Sequence, residues 1–355
     1  MARDDARTDD PGIDDLQATA RAMVATGKGI LAADESTGTI GRRFAAIGVE
    51  NAEDQRRDYR EMLFRAKGFE RYVSAVILFD ETLRQRAADG TPLVELLTAA
   101  GVIPGIKVDA GAKALALASD EVVTEGLDGL RERLAEYRGL GARFAKWRAV
   151  LHIGAGRPSR YAIDVNAHAL ARYAALCQEA GLVPIVEPEV LMDGDHDIGT
   201  CMRATESTLR EVFHQLARQD VALERMVLKP SMVISGASAN DRASPEVVAE
   251  MTLACLLRTV PAAVPGIAFL SGGQGDDESV RNLDAINRHA HDVGAPWQLT
   301  FSYGRGLQSA PLRAWGGRPE NVPAAQRAFL ERALVLAAAR AGAYAPTTEG
   351  ASEAR

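Results

Sequence analysis

The stretch Phe144-Ala-Lys-Trp-Arg-Ala-Val-Leu-His-Ile153 precedes a second apolar stretch, Val183-Pro-Ile-Val-Glu-Pro-Glu-Val190. Both are short and rich in β-branched residues, as expected of buried strands. Between them, Ala167 to Ala180 places apolar residues three and four positions apart, which is typical of an amphipathic helix. This order of strand, helix and strand predicts a crossover unit with two parallel strands.

The same alternation extends over the rest of the chain. Leu127 to Tyr137 has the spacing of a second crossover helix, and Ser244-Pro245-Glu246 predicts the start of a third that runs to about Arg258. Eight strands alternating with helices favour a closed (β/α)8 barrel, the TIM barrel of the α/β class, and an open doubly wound sheet is the alternative. The six further predicted strands are Gly29 to Asp34, Tyr72 to Phe79, Ile103 to Asp109, Met226 to Val233, Ile267 to Ser271 and Trp297 to Tyr303.

Composition limits the domain organisation and the partners. The 355 residues are 47% hydrophobic and contain no linker rich in Gly, Ser or Pro, so we expect one barrel, residues 12–344, between flexible tails at 1–11 and 345–355. A net charge of -7 argues against a nucleic-acid or anionic-membrane surface. Three scattered cysteines, no apolar signal segment and no membrane-length apolar stretch predict a soluble, cytoplasmic protein.

Lysine is rare in this chain, and one lysine lies inside a predicted strand. Only six of the 41 basic residues are lysines, and Lys229 stands in Val227-Leu228-Lys229-Pro230. Arginine does not deprotonate in practice, whereas a lysine can become neutral and act as a nucleophile. A chemical role for Lys229 is therefore one interpretation. The other is that codon bias favours arginine throughout the chain and that the few lysines remain by chance.

Charged residues occur two positions apart in several predicted strands, where both side chains face the same side. Structural ion pairs at strand ends are one explanation. The carboxyl ends of barrel strands carry the catalytic groups in this architecture, however, so eight charges converging there predict an active site of nearly zero net charge. The charges are Asp34, Lys107 with Asp109, Lys146 with Arg148, Glu187 with Glu189, and Lys229.

The chemistry that such a site supports begins with a neutral amine. Burial and a neighbouring cation, for which Lys146 is the candidate, both favour the neutral form of a lysine such as Lys229. Attack on a carbonyl then gives an iminium, which accepts electrons from an adjacent breaking bond. Nearby carboxylates must carry the protons, and the candidates are Glu187, Glu189 and Asp34.

Two groups of residues could hold phosphates. Ser271-Gly-Gly-Gln274 and Ser302-Tyr-Gly-Arg-Gly306 end the last two predicted strands, where barrels commonly bind phosphate, although plain turn chemistry also explains the glycines. A second group follows the first strand: Arg42 and Arg43 after Ser36-Thr37-Gly38-Thr39, together with Lys107 and Arg148. The alternative for Arg42 is an exposed arginine on a helix surface. Two phosphate-binding groups in one site indicate a substrate with two phosphates.

The histidines are poorly placed for a metal site. His289 and His291 fall in a polar helical stretch where they would diverge, and His196 lies in an acidic loop, residues 193–197, that we interpret as structural. We predict no metal and no cofactor.

Taken together, the motifs resemble class I fructose-bisphosphate aldolase, from about residue 12 to residue 344. The resemblance implies a (β/α)8 barrel with an additional N-terminal helix, a cytoplasmic homotetramer, and reversible cleavage of fructose 1,6-bisphosphate to dihydroxyacetone phosphate and glyceraldehyde 3-phosphate without metal. The motifs are Lys28-Gly-Ile-Leu-Ala-Ala-Asp34-Glu-Ser-Thr-Gly, Gly105-Ile-Lys-Val-Asp109, Phe144-Ala-Lys-Trp-Arg148, Val183-Pro-Ile-Val-Glu-Pro-Glu189, Leu228-Lys-Pro230, Leu270-Ser-Gly-Gly-Gln274 and Phe301-Ser-Tyr-Gly-Arg305.

The resemblance also implies roles for single residues. Lys229 matches the Schiff-base lysine, Lys146 and Glu187 its acid/base neighbours, and Asp34 the aspartate of carbon–carbon cleavage. Glu189 matches a carboxylate that orders these groups. The matched phosphate and substrate binders are Ser271, Gly272, Ser302, Gly304 and Arg305 at one end, and Ser36, Thr39, Arg43, Lys107 and Arg148 at the other.

The chain departs from the family pattern at two places, and alternatives remain open. Many animal members end in a tyrosine that assists proton exchange on the enamine, whereas this chain ends at Arg355, and Arg225 replaces a common glycine. One alternative is another Schiff-base barrel, transaldolase-like or preferring sedoheptulose bisphosphate or fructose 1-phosphate. The other is a non-catalytic barrel that serves as a binding module.

Overall fold

The computed structural model describes residues 11–345 and contains a closed parallel barrel. The predicted (β/α)8 architecture is therefore confirmed. Around the barrel the strands follow the order β1-β10-β9-β8-β7-β6-β3-β2, and β4 and β5 form a separate antiparallel hairpin. The strands are β1 Gly29–Ala33, β2 Val73–Leu78, β3 Ile103–Lys107, β4 Ala112–Ala114, β5 Val122–Thr124, β6 Phe144–Leu151, β7 Val183–Val190, β8 Val227–Leu228, β9 Gly266–Phe269 and β10 Gln298–Tyr303.

Helices cover the outside of the barrel, and the implied N-terminal helix is present as α1. The predicted start of the helix after Ser244 is confirmed, since the Ser244 hydroxyl accepts a hydrogen bond from the Val247 N–H. Among the described residues, no helix is long and apolar enough to cross a membrane. The helices are α1 Pro11–Met23, α2 Thr37–Ala45, α3 Glu53–Phe64, α4 Asp80–Arg84, α5 Leu93–Ala99, α6 Leu130–Gly139, α7 Arg160–Glu179, α8 Ile198–Arg218, α9 Pro245–Thr259, α10 Asp276–Val293, α11 Arg305–Trp315 and α12 Val322–Arg340.

Several predicted boundaries were wrong. The sixth barrel strand has two residues instead of eight, although the Lys229 N–H still donates to the Val186 carbonyl at 2.8 Å. Pro230 has no N–H to continue the ladder, which explains the early end. The crossover helix predicted from Ala167 begins earlier, at Arg160, because Ser159 caps it by accepting from the Ala162 N–H.

The hairpin of β4 and β5 was not predicted, because three-residue strands leave little periodic pattern. The predicted tails lie outside the described residues, apart from residues 11 and 345 at their edges.

The amino-end half of the barrel interior is apolar and closed by α1. Leu16, Ala20 and Met23 on this helix are buried in one cluster with inward-facing strand residues such as Ile185 and Val227. Large side chains fit there because glycine stands opposite them: a Cβ on Gly105 would lie 2.3 Å from the ring of Phe144. This end of the barrel is therefore packed core.

The carboxyl-end half carries charges on the same inward-facing positions. Along β7 the period of two places Val183 and Ile185 below Glu187 and Glu189. The register pairs Arg148 of β6 with Glu187, and Ile185 with Val227, so Lys229 stands at the level of Glu187. The inward-facing residues of these strands are therefore apolar at the amino end of the barrel and charged at its carboxyl end.

Candidate active site

A cavity of about 570 Å³ opens at the carboxyl ends of the strands. Most candidate site residues named from the sequence line it, whereas Asp109 and Arg42 do not. The candidates that line it are Asp34, Ser36, Thr39, Arg43, Lys107, Lys146, Arg148, Glu187, Glu189, Lys229, Ser271, Gly272, Ser302, Gly304 and Arg305. The period-two positions of the strands and the order of the barrel bring these residues together.

Two lysines and two carboxylates form a connected chain at the bottom of the cavity. Lys146 Nζ lies 2.7 Å from Asp34 Oδ2 and 3.3 Å from Glu187 Oε2. The other oxygen of Glu187, Oε1, lies 3.0 Å from Lys229 Nζ. Glu187 therefore bridges the two amines, and both lysine side chains are about 5% exposed or less.

The charges in this chain shift one another's pKa values. Burial alone would raise the pKa of Asp34, but Lys146 and Lys229 outweigh burial and hold it well below its usual range. The pKa of Glu187 is lowered for the same reason. Burial would lower the pKa of Lys146, yet Asp34 and Glu187 raise it above its usual value. At neutral pH, both carboxyls are ionised and Lys146 is a fixed cation.

The remaining strand charges form two further pairs. Glu189 accepts a hydrogen bond from Arg148 Nε, and Lys107 Nζ lies 3.4 Å from Asp109 Oδ1. Asp109 is not among the residues that line the cavity, so its predicted position in the barrel mouth was wrong. The reason is that β3 ends at Lys107 and the chain then turns toward the hairpin, where Asp109 accepts from the Gly111 N–H.

One end of the cavity is lined by glycine-rich backbone. Gly272 and Gly273 have φ values of +35° and +80°, which side chains rarely adopt, and the Gln274 N–H closes their turn on the Ser271 carbonyl at 2.8 Å. Across from this turn lie the hydroxyl of Ser302 and the first residue of α11, Arg305. Free N–H groups at a helix start, together with a guanidinium, form an anion site.

The Ser302 hydroxyl is buried and has no hydrogen-bond partner among the described residues. A buried hydroxyl without a partner costs free energy, so a ligand oxygen at this place would supply the missing bond.

The other cationic group lies around the start of α2. Ser36 and Thr39 are hydrogen bonded to each other, Oγ to Oγ1, at 3.2 Å. Arg43 lines the cavity, whereas its neighbour Arg42 is exposed and donates to Thr39. Arg42 therefore belongs to the surface, as the alternative interpretation of that residue held.

Glu35 is a residue of the site that sequence reasoning missed. Its side chain is 5% exposed and accepts hydrogen bonds from Arg43 and from Gln308 Nε2, the latter at 2.7 Å. The buried guanidinium of Arg60 lies 3.7 Å from Glu35 Oε2 and donates to the Glu35 carbonyl at 3.0 Å. Glu35 follows Asp34 directly, so these contacts also hold the end of β1.

The rim of the cavity includes the acidic loop that was predicted to be structural. Asp193 lines the rim beside Ala237, whose N–H donates to the Met192 carbonyl at 2.7 Å. Within residues 11–345, no group of three or more His, Cys, Asp or Glu side chains is arranged to hold a metal ion. The prediction of a metal-free site stays a prediction.

This geometry defines a class of protein. A buried lysine whose amine contacts a carboxylate can exchange its proton and attack a carbonyl, and cationic ends on either side can hold an anionic substrate across it. The class that the fold and the site define is that of the lysine-dependent barrel lyases.

Comparison with known proteins narrows the class. The model of the family described as fructose-bisphosphate aldolase class-I matches residues 15–355. The chain is 57% identical over 323 residues to a probable fructose-bisphosphate aldolase class 1 of Xanthomonas axonopodis pv. citri, covering 90% of this chain and 96% of the relative. It is 54% identical over 343 residues to cytosolic fructose-bisphosphate aldolase 6 of Arabidopsis thaliana, with 96% and 95% covered.

A solved structure agrees with these relatives. Fructose-bisphosphate aldolase from Plasmodium falciparum, determined in complex with TRAP and a small-molecule inhibitor, is similar with a TM-score of 0.93 and 46% identity, over 95% of this chain and 96% of that one. The chain belongs to the class I fructose-bisphosphate aldolase family, which confirms the resemblance seen in the sequence.

Proposed function

We propose that this chain cleaves fructose 1,6-bisphosphate reversibly to dihydroxyacetone phosphate and glyceraldehyde 3-phosphate through an iminium on Lys229. The observation that carries the proposal is the position of Glu187 between Lys229 and Lys146, at 3.0 Å and 3.3 Å. A carboxylate there accepts the proton that the nucleophile must lose, while the second lysine keeps its positive charge.

The first half of the reaction forms the iminium. Lys229 Nζ attacks the substrate carbonyl, and the carbonyl oxygen leaves as water after it receives protons. Glu187 accepts protons from the amine and returns them to the leaving oxygen, and Lys146 stabilises the negative charge that develops on it. The raised pKa of Lys146 supports this division of roles, because this lysine keeps its proton at neutral pH.

The second half breaks the carbon–carbon bond. Asp34, ionised because its pKa is lowered, accepts the proton of the hydroxyl on the carbon that becomes the aldehyde. The bonding electrons move to the iminium nitrogen and leave an enamine. Protonation of the enamine carbon and attack by water on the resulting iminium then release dihydroxyacetone phosphate and the free lysine.

The two cationic ends of the cavity support a bisphosphate substrate. We propose that Ser271, Gly272, Ser302, Gly304 and Arg305 hold the phosphate next to the carbonyl. Ser36, Thr39, Arg43, Lys107 and Arg148 hold the other phosphate and the hydroxylated chain, while Glu189 keeps Arg148 in place. A monophosphate would occupy only one of these two groups.

Steady-state cleavage assays test this substrate assignment. We expect kcat/KM for fructose 1,6-bisphosphate to exceed that for fructose 1-phosphate by at least about tenfold, because the monophosphate makes no phosphate contacts with the second group of residues. Equal values would contradict the role of the second group, and faster cleavage of sedoheptulose bisphosphate would shift the substrate preference. No cleavage of any of them would favour a binding module.

Three further measurements test the assembly, the metal independence and the cellular location. We propose a cytoplasmic homotetramer, and sedimentation equilibrium should return about four times the chain mass of 37.9 kDa. Activity should persist in excess chelator, whereas loss in chelator and recovery with zinc would contradict the metal-free mechanism. Fractionation of the source cells should place the activity with soluble cytoplasmic enzymes.

A further inference from the structure

The turn Ser271–Gln274 has few anchors of its own. Gly272 and Gly273 carry no side chain, and glycine has more backbone freedom than any other residue. Their positive φ values would strain any side chain, and a Cβ would also lie 2.7 Å from Leu270 Cδ1 at Gly272 and 2.8 Å from Met192 Sδ at Gly273. The position of the turn is therefore set by the residues on either side of it.

Gln274 provides the anchor that follows the turn. Its side chain points away from the cavity and is 9% exposed. Its Oε1 accepts a hydrogen bond from Asn282 Nδ2 of α10 at 2.8 Å, and its Nε2 lies 3.7 Å from Met232 Sδ. Asn282 is 2% exposed, so this amide pair is shielded from water.

The anchors connect the turn to the segment that carries Lys229. Met232 lies three residues after Lys229, and the backbone before the turn makes a matching contact, since the Leu270 N–H donates to the Pro230 carbonyl at 3.1 Å. A shift of the turn relative to these contacts would change the distance between a bound phosphate and the reactive amine. Misplacement by about 1 Å is enough to lower catalysis strongly.

We propose that Gln274 and Asn282 are positioning residues that fix the separation between the phosphate turn and Lys229. This inference rests on the proposed function of both parts. In dihydroxyacetone phosphate a single carbon separates the carbonyl from the phosphate ester, so a turn held in place also holds the carbonyl of this substrate at a constant distance from Lys229 Nζ. Neither residue lines the cavity.

Borohydride trapping with two ketones tests the role. In the full-length Asn282→Ala variant, Gln274 Oε1 loses its donor, and the concentration of dihydroxyacetone phosphate that half-saturates adduct formation on Lys229 should rise about tenfold. Trapping of dihydroxyacetone, which has no phosphate to position, should match the wild type. Asn287→Ala is the matched control, because Asn287 lies on the same helix and, within residues 11–345, its amide donates only to the Leu283 carbonyl.

A second variant distinguishes the loss of positioning from general damage to the fold. Gln274→Leu should reproduce the effect, and adding Asn282→Ala to it should cause no further loss, since both changes remove the same hydrogen bond. Equal weakening with both ketones, or none with either, would overturn the inference while leaving the proposed function intact. A wild-type enzyme that gives no adduct with dihydroxyacetone phosphate would overturn both.

Discussion

At the scale of single residues, the two lysines of the site differ in their partners. Lys146 contacts both Asp34 and Glu187, whereas Lys229 contacts Glu187 as its one carboxylate among the described residues. Two partners hold the proton on Lys146, as the raised pKa indicates. Lys229 shares its one carboxylate partner among the described residues with Lys146, and the proposed mechanism therefore assigns the attack to Lys229.

Removing the shared carboxylate should therefore impair chemistry more than binding. In Glu187→Gln, we expect kcat for cleavage to fall by about 10² to 10⁴, the usual contribution of a general acid or base, while KM changes little. Glu189→Gln is the comparison, because Glu189 pairs with Arg148 and should affect KM more. An unchanged kcat in Glu187→Gln would contradict the assigned role.

Asp34 should give the stability of the protein a defined pH dependence. Because its pKa is lowered by folding, the ionised form contributes stability above its ordinary pKa of about 3.9, and this contribution is lost as the pH falls. The difference in free energy of unfolding between wild type and Asp34→Asn should stay constant from about pH 7 to 5 and narrow below about pH 4. Denaturant titrations measure it, and a difference that grows on acidification would contradict the pairing.

At the scale of elements, glycine and phenylalanine share the interior between β3 and β6. Gly105→Ala should lower the free energy of unfolding by about 1 to 3 kcal/mol, because the new Cβ would lie 2.3 Å from the Phe144 ring. Gly139→Ala is the control, since Gly139 ends α6 with nothing within 4 Å of the added carbon. Equal stability of the two variants would contradict the close approach.

The strands and their polar ends could be predicted from the sequence because parallel barrels impose simple rules. Apolar runs between helical segments gave the strands, and the period of two placed Lys146 and Glu187 on the inner face. The boundaries were less accurate, since β8 ends where Pro230 interrupts the ladder. Asp109 was misplaced for a similar reason: the strand that should carry it ends two residues earlier.

Residues outside the strand pattern were missed. Glu35 carries no periodic signal, and its partners Arg60 and Gln308 lie on α3 and α11, far away in sequence. The pairing of Gln274 with Asn282 likewise depends on how α10 packs. The quoted motif Leu270-Ser-Gly-Gly-Gln274 contained Gln274, but only the structure shows which way its side chain points.

At the scale of the whole molecule, the two ends of the barrel have separate tasks. The amino end is closed by α1 and packed with apolar side chains, while the carboxyl end holds the charged cavity. This separation is usual for barrels, in which residues at the amino end serve stability. Changes at the amino end should therefore alter stability without altering the reaction.

Met23 on α1 tests this separation. Met23→Ala should lower the free energy of unfolding by about 2 to 5 kcal/mol, because the side chain is fully buried, while kcat/KM at 25 °C stays at the wild-type value. Arg21→Ala, at an exposed position of the same helix, should change stability by less than about 0.5 kcal/mol. A loss of kcat/KM in folded Met23→Ala enzyme would show that the two ends are coupled.

Peptide mapping after borohydride reduction tests the central claim most directly. Wild-type enzyme reduced in the presence of dihydroxyacetone phosphate should carry one covalent adduct, on the peptide that contains Lys229, and Lys229→Met should carry none. Lys146→Met should form the adduct more slowly but on the same residue, since the proposed mechanism gives Lys146 an assisting role and the attack to Lys229. An adduct on Lys146 or on another lysine in the wild type, or no adduct at all, would contradict the account.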